Sequence, residues 1–412
     1  MKNRLWILIG FILLKFILQY HLISPEYELQ RDEYLYLDQA HHLAWGYLSV
    51  PPVSSWISSI IYMLGNSVFW VKFFPALFGS LTILVVWKTI ERLKGNLFAL
   101  ILGATCVLFS SLLRLNTLYQ PNSLDVLCWA TAYFFLITYF NTKKSKYLYL
   151  LALVFAIGFL NKYNILFLII GLIPAILITN QRNILFKKEL YRAILLALAI
   201  MLPNLIWQYT HNFPVIRHME ELSATQLVNV DRIEFLQSQI LFFIGALPVI
   251  IAGLCALLFY RPFKNYQSFF WAFFFTLIVF MYFRAKDYYA IGLYPIYIAF
   301  GSVFLADVLK AGWKRYLKPV VIAIPLFIFI PTYQIAFPNK SPEWIVNHSD
   351  AYKELGLLRW EDGKDHSLPQ DYADMLGWKE LARKVDSVYI TLPNPHQTLV
   401  LCDNYGQAGA IN

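Results

Sequence analysis

Eleven runs of mostly apolar residues set what this chain can fold into. They occupy residues 4–23, 68–87, 96–113, 122–140, 147–161, 163–179, 191–208, 235–259, 267–283, 288–308 and 319–337. A spanning helix needs roughly 20 apolar residues, a spanning strand only about 10. Backbone amides in hydrocarbon must be paired inside the protein, which leaves helices or a closed barrel. The runs have helix length, so the expected fold is an all-α polytopic membrane protein with about eleven spans. The composition agrees: 58% of residues are hydrophobic and 14% charged, where soluble domains carry about 25% charged residues. The aromatic share of 17% suits belts at the membrane interfaces. The segment 53–64 is apolar but short and reads as interfacial or re-entrant. "LNKYN" alone parts two of the runs, at 147–179, which reads as a broken or tightly turned hairpin. The first run is too long for a signal-peptide core and lacks a small-residue cleavage site, so it reads as a retained anchor.

Loop charge gives an orientation. One alternate set of loops holds 18 Lys and Arg, and the other holds 7, namely Arg31, Arg114, Lys162, Arg217, Arg232, Arg284 and Lys286. The positive-inside rule then places the N-terminus in the cytoplasm. The poorer set, with residues 24–67 and everything after about Phe337, falls outside. The net charge of +9 is thereby explained by topology, and no nucleic-acid partner is implied. Cys106, Cys128, Cys255 and Cys402 are scattered without metal or disulfide spacing.

From about residue 338 acids and turn residues replace the long apolar runs. "SVYITLP" and "TLVLCDN" are short strand-like stretches, and "NYGQAGAI" reads as a turn opening a helix. The expected organisation is a transmembrane domain over 1–337, with a first outer loop at 24–67, and an outer-side α/β domain over 338–412. That domain reads as incomplete, because the chain stops as its last helix begins.

Ionisable residues on the outer side are the candidates for chemistry. In "RDEYLYLDQAHHLAWGYLSVPP", Asp32 and Glu33 lie side by side at the head of a stretch without Gly or Pro up to Trp45. This predicts a surface helix. The acids fit an N-cap and a first-turn residue, and equally a general base or metal ligand at the membrane face. Lys162 stands between two apolar runs against the topology trend, which suits either a snorkelling lysine or a site for an anionic lipid phosphate. Arg284 and Lys286, beside Asp287 and Tyr288, oppose the trend in the same way and would suit a phosphate. His211, Arg217, His218, Glu220 and Glu221 crowd one loop but follow no recognised metal spacing. Arg114 and Asp125 are expected to pair across a turn.

Taken in order, "RDEYLYLDQAHHLAWGYLSVPPVSSW", "YQPNSLDVL", "FLNKYNILFL", "PNLIWQYTHNFPVIRH", "AKDYYAIGLYPIY" and "LPQDYADMLGWKELA" with "NYGQAG" resemble the GT-C membrane glycosyltransferases. The resemblance is to the bacterial branch related to protein O-mannosyltransferases and undecaprenyl-phosphate aminoarabinose transferase. It implies a GT-C type fold and inverting transfer of a hexosyl or pentosyl group from a polyprenyl-phosphate-linked sugar. The acceptor would be lipid A, a protein or a glycan, within membrane lipids. The resemblance makes Asp32 the residue that orients or deprotonates the acceptor, with Glu33 as the fallback base. It places Lys162 at the donor phosphate and Tyr288 beside it, and His211 at an acceptor or metal position. Ser49 and Val50 stand where many members carry an acid before the Pro pair. A metal site that used that acid would lack a ligand, so the resemblance leaves a divalent metal open. The alternative from a different class is a multi-span transporter or flippase, which should show repeated halves and ionisable groups near the bilayer midplane; no repeat is visible.

Overall fold

The computed structural model describes residues 2–412, and every element over them is helical. In chain order, α1 (Lys2–His21) leads to the short α2 (Arg31–Asp38), then α3 (Val53–Met63), α4 (Val68–Arg92), α5 (Leu97–Leu108) and the single turn α6 (Ser111–Leu115). The bundle continues with α7 (Asn122–Thr142), α8 (Lys146–Asn161), α9 (Leu166–Leu177), α10 (Lys188–Thr210), α11 (Pro214–Thr225), α12 (Arg232–Phe242) and α13 (Leu247–Phe259). It closes with α14 (Gln267–Tyr282), α15 (Pro295–Val308) and α16 (Lys318–Ala336). Beyond these come α17 (Pro342–Asn347), α18 (Asp350–Glu354), α19 (Gln370–Ala373), α20 (Trp378–Tyr389) and α21 (Tyr405–Ile411).

Five of these helical stretches are long and apolar enough to cross a membrane, or up to seven if two bent pairs each count as one span. The bends are 102° between α12 and α13, and 46° between the 3-10 turn Asp287–Leu293 and α15. The remaining sequence runs fold as shorter helices, α8 and α9 among them. At about 1.5 Å per residue, the 12 residues of α9 reach only about 18 Å.

Packing is built on close backbone approach. Helix α4 lies against α1, α5, α7 and α15, while α9 pairs with α14 and α13 with α15. Where α13 crosses α15, a Cβ on Gly301 would sit 1.8 Å from the Val249 carbonyl, and one on Gly253 2.4 Å from that of Tyr297. Small residues let two helices approach this closely without side chains between them. Most of the apolar core, from Ile83 and Trp87 to Phe300, is one continuous cluster.

The segment after residue 337 corrects the sequence expectation. No strand forms among the described residues; the sole bridge joins Arg359 to Asp365. The first residues of "SVYITLP" extend α20, whose charged and apolar residues alternate with helical period, and "TLVLCDN" stays irregular. Two short β-prone runs without a partner sheet have nothing to satisfy their backbone groups. The segment instead shares a small core with the first loop and the turn before α7: Tyr27 and Leu118 pack with Ile345, Tyr352, Leu358, Tyr372 and Met375.

Candidate active site

The loop end of the bundle is organised by α2. Gln30 caps this helix, its side-chain oxygen accepting from the Asp32 amide at 2.8 Å, while Glu33 accepts from the Gln30 amide at 2.8 Å. That reciprocal capping box satisfies two amides that would otherwise be orphaned. It also separates the two acids, which point to different sides of the helix. The expected helix to Trp45 stops at Asp38, followed by one 3-10 turn. From there Tyr47 folds back, its hydroxyl donating to the His42 carbonyl at 2.9 Å.

Glu33 is fully buried. Both its oxygens meet Lys72 of α4, at 2.6 and 2.7 Å, and Oε1 also accepts from the Tyr119 amide at 2.6 Å. Its partners are used up in fastening α2 to α4 and to the loop before α7. A carboxylate held this way has no open lone pair directed at a substrate, so the geometry does not support Glu33 as the fallback base.

Asp32 is different. Its side chain keeps 27% exposure. The Tyr405 hydroxyl donates to Oδ1 at 2.8 Å, Gln120 Nε2 donates to Oδ2 at 3.1 Å, and Arg31 Nε lies 3.6 Å from Oδ1. Partial burial pushes the carboxyl above the ordinary carboxylate range, against the pull of Arg31, the Tyr405 hydrogen bond and Lys286. Tyr405 arrives from the far end of the sequence because α21 lies directly on α2. A Cβ on Gly409 would be 2.6 Å from the Tyr34 carbonyl, and one on Gly406 2.4 Å from Arg31 Cγ.

Lys162 lies in the turn between α8 and α9. Its ammonium donates to Asn122 Oδ1 at 2.7 Å and stands 4.1 Å from the ring centroid of Tyr289 and 5.1 Å from that of Tyr288. Burial lowers its pKa to about 8, opposed by Asp125 and Asp32 and assisted by Lys286. The flanking residues hold the turn rigid. Asn161 donates to the Pro121 carbonyl at 2.8 Å, and Asn164 donates to Asp125 at 2.8 Å and to the Tyr289 carbonyl at 2.9 Å. Lys286 pairs with Glu361, which also lies 3.9 Å from Arg31. Glu361 is held below the ordinary carboxylate range by Lys286 and Arg31 despite its burial.

Of the residues singled out in the sequence, Asp32, Lys162, Lys286 and Tyr288 therefore share one neighbourhood. Arg284 does not: its guanidinium donates to the Val228 carbonyl at 3.0 Å and faces a separate cleft. His211 is exposed, stacked on Trp207 at 4.3 Å with Nδ1 against the Trp207 carbonyl, and Arg217 is exposed on α11. Among the described residues no three His, Cys, Asp or Glu side chains converge in a way that could hold a metal. The expected Arg114–Asp125 pair does not form either. Asp125 accepts from Trp129 and Asn164, whereas Arg114 donates to Thr117 and lies 3.6 Å from Asp371. Each finds another partner. The site also draws in Arg31, Gln120, Asn122, Tyr289, Glu361 and Tyr405, to which the sequence assigned no role. All but Glu361 lie inside the quoted motif stretches, which was the available signal.

Comparison with known proteins finds relatives in sequence and in fold. Residues 49–207 match the family model described as dolichyl-phosphate-mannose-protein mannosyltransferase. The lipid A galacturonosyltransferase RgtD of Rhizobium johnstonii is 26% identical over 228 residues, which is 54% of this chain and 46% of that protein. The match thus spans about half the length of this curated relative. In fold, the chain superposes on the crystal structure of ArnT from Cupriavidus metallidurans bound to undecaprenyl phosphate, with a TM-score of 0.67 at 12% identity, over 98% of this chain and 84% of that one. The Archaeoglobus fulgidus oligosaccharyltransferase tethered with an acceptor peptide gives 0.54 at 10% identity, over 90% and 60%. In its motifs and in its fold, the chain is similar to the GT-C membrane glycosyltransferases.

Proposed function

We propose that this protein is a glycosyltransferase that moves a sugar from a polyprenyl-phosphate donor to a hydroxyl of a lipid, protein or glycan acceptor. The observation that carries the reading is the meeting of Asp32 with Lys162 and Lys286 at one end of an apolar bundle. A polyprenyl-phosphate sugar already contains an anionic leaving group, so catalysis needs cations at the phosphate and a base at the acceptor. In the step, the acceptor oxygen bonds to the anomeric carbon as the bond from that carbon to the phosphate oxygen breaks. The hydroxyl proton passes to Asp32. The electron pair leaves with the polyprenyl phosphate, whose charge Lys162 and Lys286 neutralise. A base and leaving-group cations on opposite sides of the sugar give inversion, for a hexosyl or a pentosyl group alike.

Tyr405 and Gln120 orient Asp32 by its two oxygens, leaving the remaining lone pairs for the acceptor. Asn122 and the Tyr288–Tyr289 pair fix the Lys162 ammonium in place. The loop charges support an arrangement with the N-terminus in the cytoplasm and this site at the periplasmic face of the inner membrane. On that arrangement residues 338–412 form a periplasmic unit over the transmembrane domain.

The test is transfer itself. Full-length protein, supplied with membrane extract containing polyprenyl-phosphate sugars, should release polyprenyl phosphate and raise the mass of one lipid or glycan class by one sugar. Release should stop with Asp32→Asn. Turnover undiminished in that variant, or no sugar-dependent release by the intact protein, rejects the reading. A flippase would instead move labelled lipid without releasing any polyprenyl phosphate.

A further inference from the structure

The loop between α6 and α7 reaches both halves of the site with four consecutive residues. The Tyr119 amide donates to Glu33 of α2 at 2.6 Å, and the Pro121 carbonyl accepts from Asn161, at the end of α8, at 2.8 Å. These two residues are buried and fasten the loop at either end. Gln120 and Asn122 alternate with them and are half-buried. Gln120 Nε2 donates to Asp32 Oδ2 at 3.1 Å, and Asn122 Oδ1 accepts from Lys162 at 2.7 Å.

The two side-chain amides also meet each other, Asn122 Nδ2 donating to Gln120 Oε1 at 2.8 Å. Three hydrogen bonds in series therefore run from the Lys162 ammonium through Asn122 and Gln120 to the Asp32 carboxylate. The ends fix the direction. An ammonium offers only donors and a carboxylate only acceptors. Both amides must then turn their oxygens toward Lys162 and their nitrogens toward Asp32. Gln120 Nε2 also lies 3.3 Å from Gln30 Oε1, the atom that caps α2 through the Asp32 amide. Reversing Asn122 would set its nitrogen against the ammonium and its oxygen against that of Gln120. Reversing Gln120 would set its oxygen against the carboxylate.

Hydrogen bonds in series polarise one another, so each member of the line strengthens the next. All three favour the same pair of charges, an ammonium at Lys162 and a carboxylate at Asp32. Those are the two forms that the transfer step uses. The amides themselves are neutral, so removing one breaks the line without altering the charge of the site. Tyr405 stands off the line, on the other oxygen of Asp32.

We propose that Gln120 and Asn122 are positioning residues that act as one relay, holding the base and the donor-phosphate cation in register and coupling their charge states. The roles of Asp32 and Lys162 rest on the transferase reading above; the coupling between them can be measured without turnover.

The test is the pH at which the protein releases undecaprenyl phosphate. Full-length protein in a neutral detergent is titrated with that lipid from neutral to alkaline pH, where release follows loss of the Lys162 charge. Asn122→Leu removes the bond to Lys162. It should bring release to lower pH and weaken binding about tenfold at mildly alkaline pH. Gln120→Met does not touch Lys162, yet it should move release in the same direction and weaken binding about threefold, because Asn122 loses the acceptor that holds it. The double variant should bind no more weakly than Asn122→Leu alone, since residues in one network are not additive. Tyr405→Phe should leave the release pH in place. An unchanged melting temperature checks that each variant folds. Gln120→Glu gives a second route, because it can still accept from Asn122 and should not lower the release pH. A release pH unmoved by Gln120→Met, a double variant weaker by the full effect of each change, or a Gln120→Glu release pH as low as that of Gln120→Met makes these separate contacts and overturns the relay. An intact protein that binds no undecaprenyl phosphate overturns both the relay and the transferase reading. Absence of sugar transfer with the lipid still bound rejects the transferase reading alone, and the binding series then decides the relay.

Discussion

The two faces of α2 do opposite work with the same chemical group. On one face Glu33 is sealed against Lys72, the Tyr119 amide and its own capping residue. On the other, one position earlier, Asp32 stays partly open, touched by side chains from a loop and from the last helix of the chain. A carboxylate whose lone pairs are all engaged serves as a fastening; one with lone pairs to spare serves as a base. Adjacent residues in a helix point about 100° apart, since a full turn takes 3.6 residues. The capping box fixes which acid faces inward. On the function proposed above, Glu33 is the support and Asp32 the reagent, and each variant below attacks one side of that contrast.

The largest effect should come from Asp32→Asn. Removing a general base costs about 10²–10⁴ in rate, with the melting temperature nearly unchanged because the amide can still accept from Tyr405. Sugar transfer and thermal unfolding measured on the same preparation decide it. A rate within tenfold of the intact protein would erase the distinction between the two acids.

Glu33→Gln should reverse the pattern. Breaking a buried ion pair by removing one partner costs about 3–5 kcal/mol, because Lys72 stays buried and unpaired. The expected result is a large drop in thermal stability or in the folded yield. Adding Lys72→Met to Glu33→Gln should recover part of it, since the stranded charge is gone. A double variant no more stable than the single one would mean that Glu33 acts chiefly through the Tyr119 and Gln30 amides.

Lys162→Ala should weaken donor binding by about tenfold or more while acceptor affinity holds, since a charge-assisted contact to phosphate contributes about 1.5–3 kcal/mol. Binding of undecaprenyl phosphate alone, with no acceptor present, reads this directly. Unchanged affinity would move the donor phosphate to Lys286.

The same two faces show what could be read in the sequence. The apolar runs, the helix break at "LNKYN" and the end of the bundle at which Asp32, Lys162 and Lys286 meet follow from hydropathy and loop charge, which act locally along the chain. The division between Glu33 and Asp32 does not, because Lys72, Tyr119 and Tyr405 lie 39, 86 and 373 positions from their partners in α2. The α/β expectation failed for a related reason. Short β-prone runs become strands only when another strand accepts their hydrogen bonds, and here the segment after residue 337 packs against Tyr27 and Leu118 instead. Arg284 was grouped with Lys286 on sequence proximity and charge sign. The left-handed turn at Arg284 sends its side chain to another cleft.

The subtlest difference between the faces is protonation. Asp32 must be ionised to accept the acceptor proton, and burial raises its pKa above the ordinary carboxylate range. The rate should therefore rise with pH through a value above that of a free aspartate. Lys162 must be charged to meet the phosphate, and burial lowers its pKa to about 8, so the rate should fall again as pH passes that value. The result is a bell whose acidic limb belongs to Asp32 and whose basic limb belongs to Lys162. Tyr405→Phe removes one hydrogen bond that favours the ionised form of Asp32. It should shift only the acidic limb, towards higher pH, and slow transfer a few-fold, in line with about 1 kcal/mol for such a bond. A Tyr405→Phe enzyme whose acidic limb stays in place would make Tyr405 a packing residue of α21 and leave Gln120 and Arg31 to hold the base.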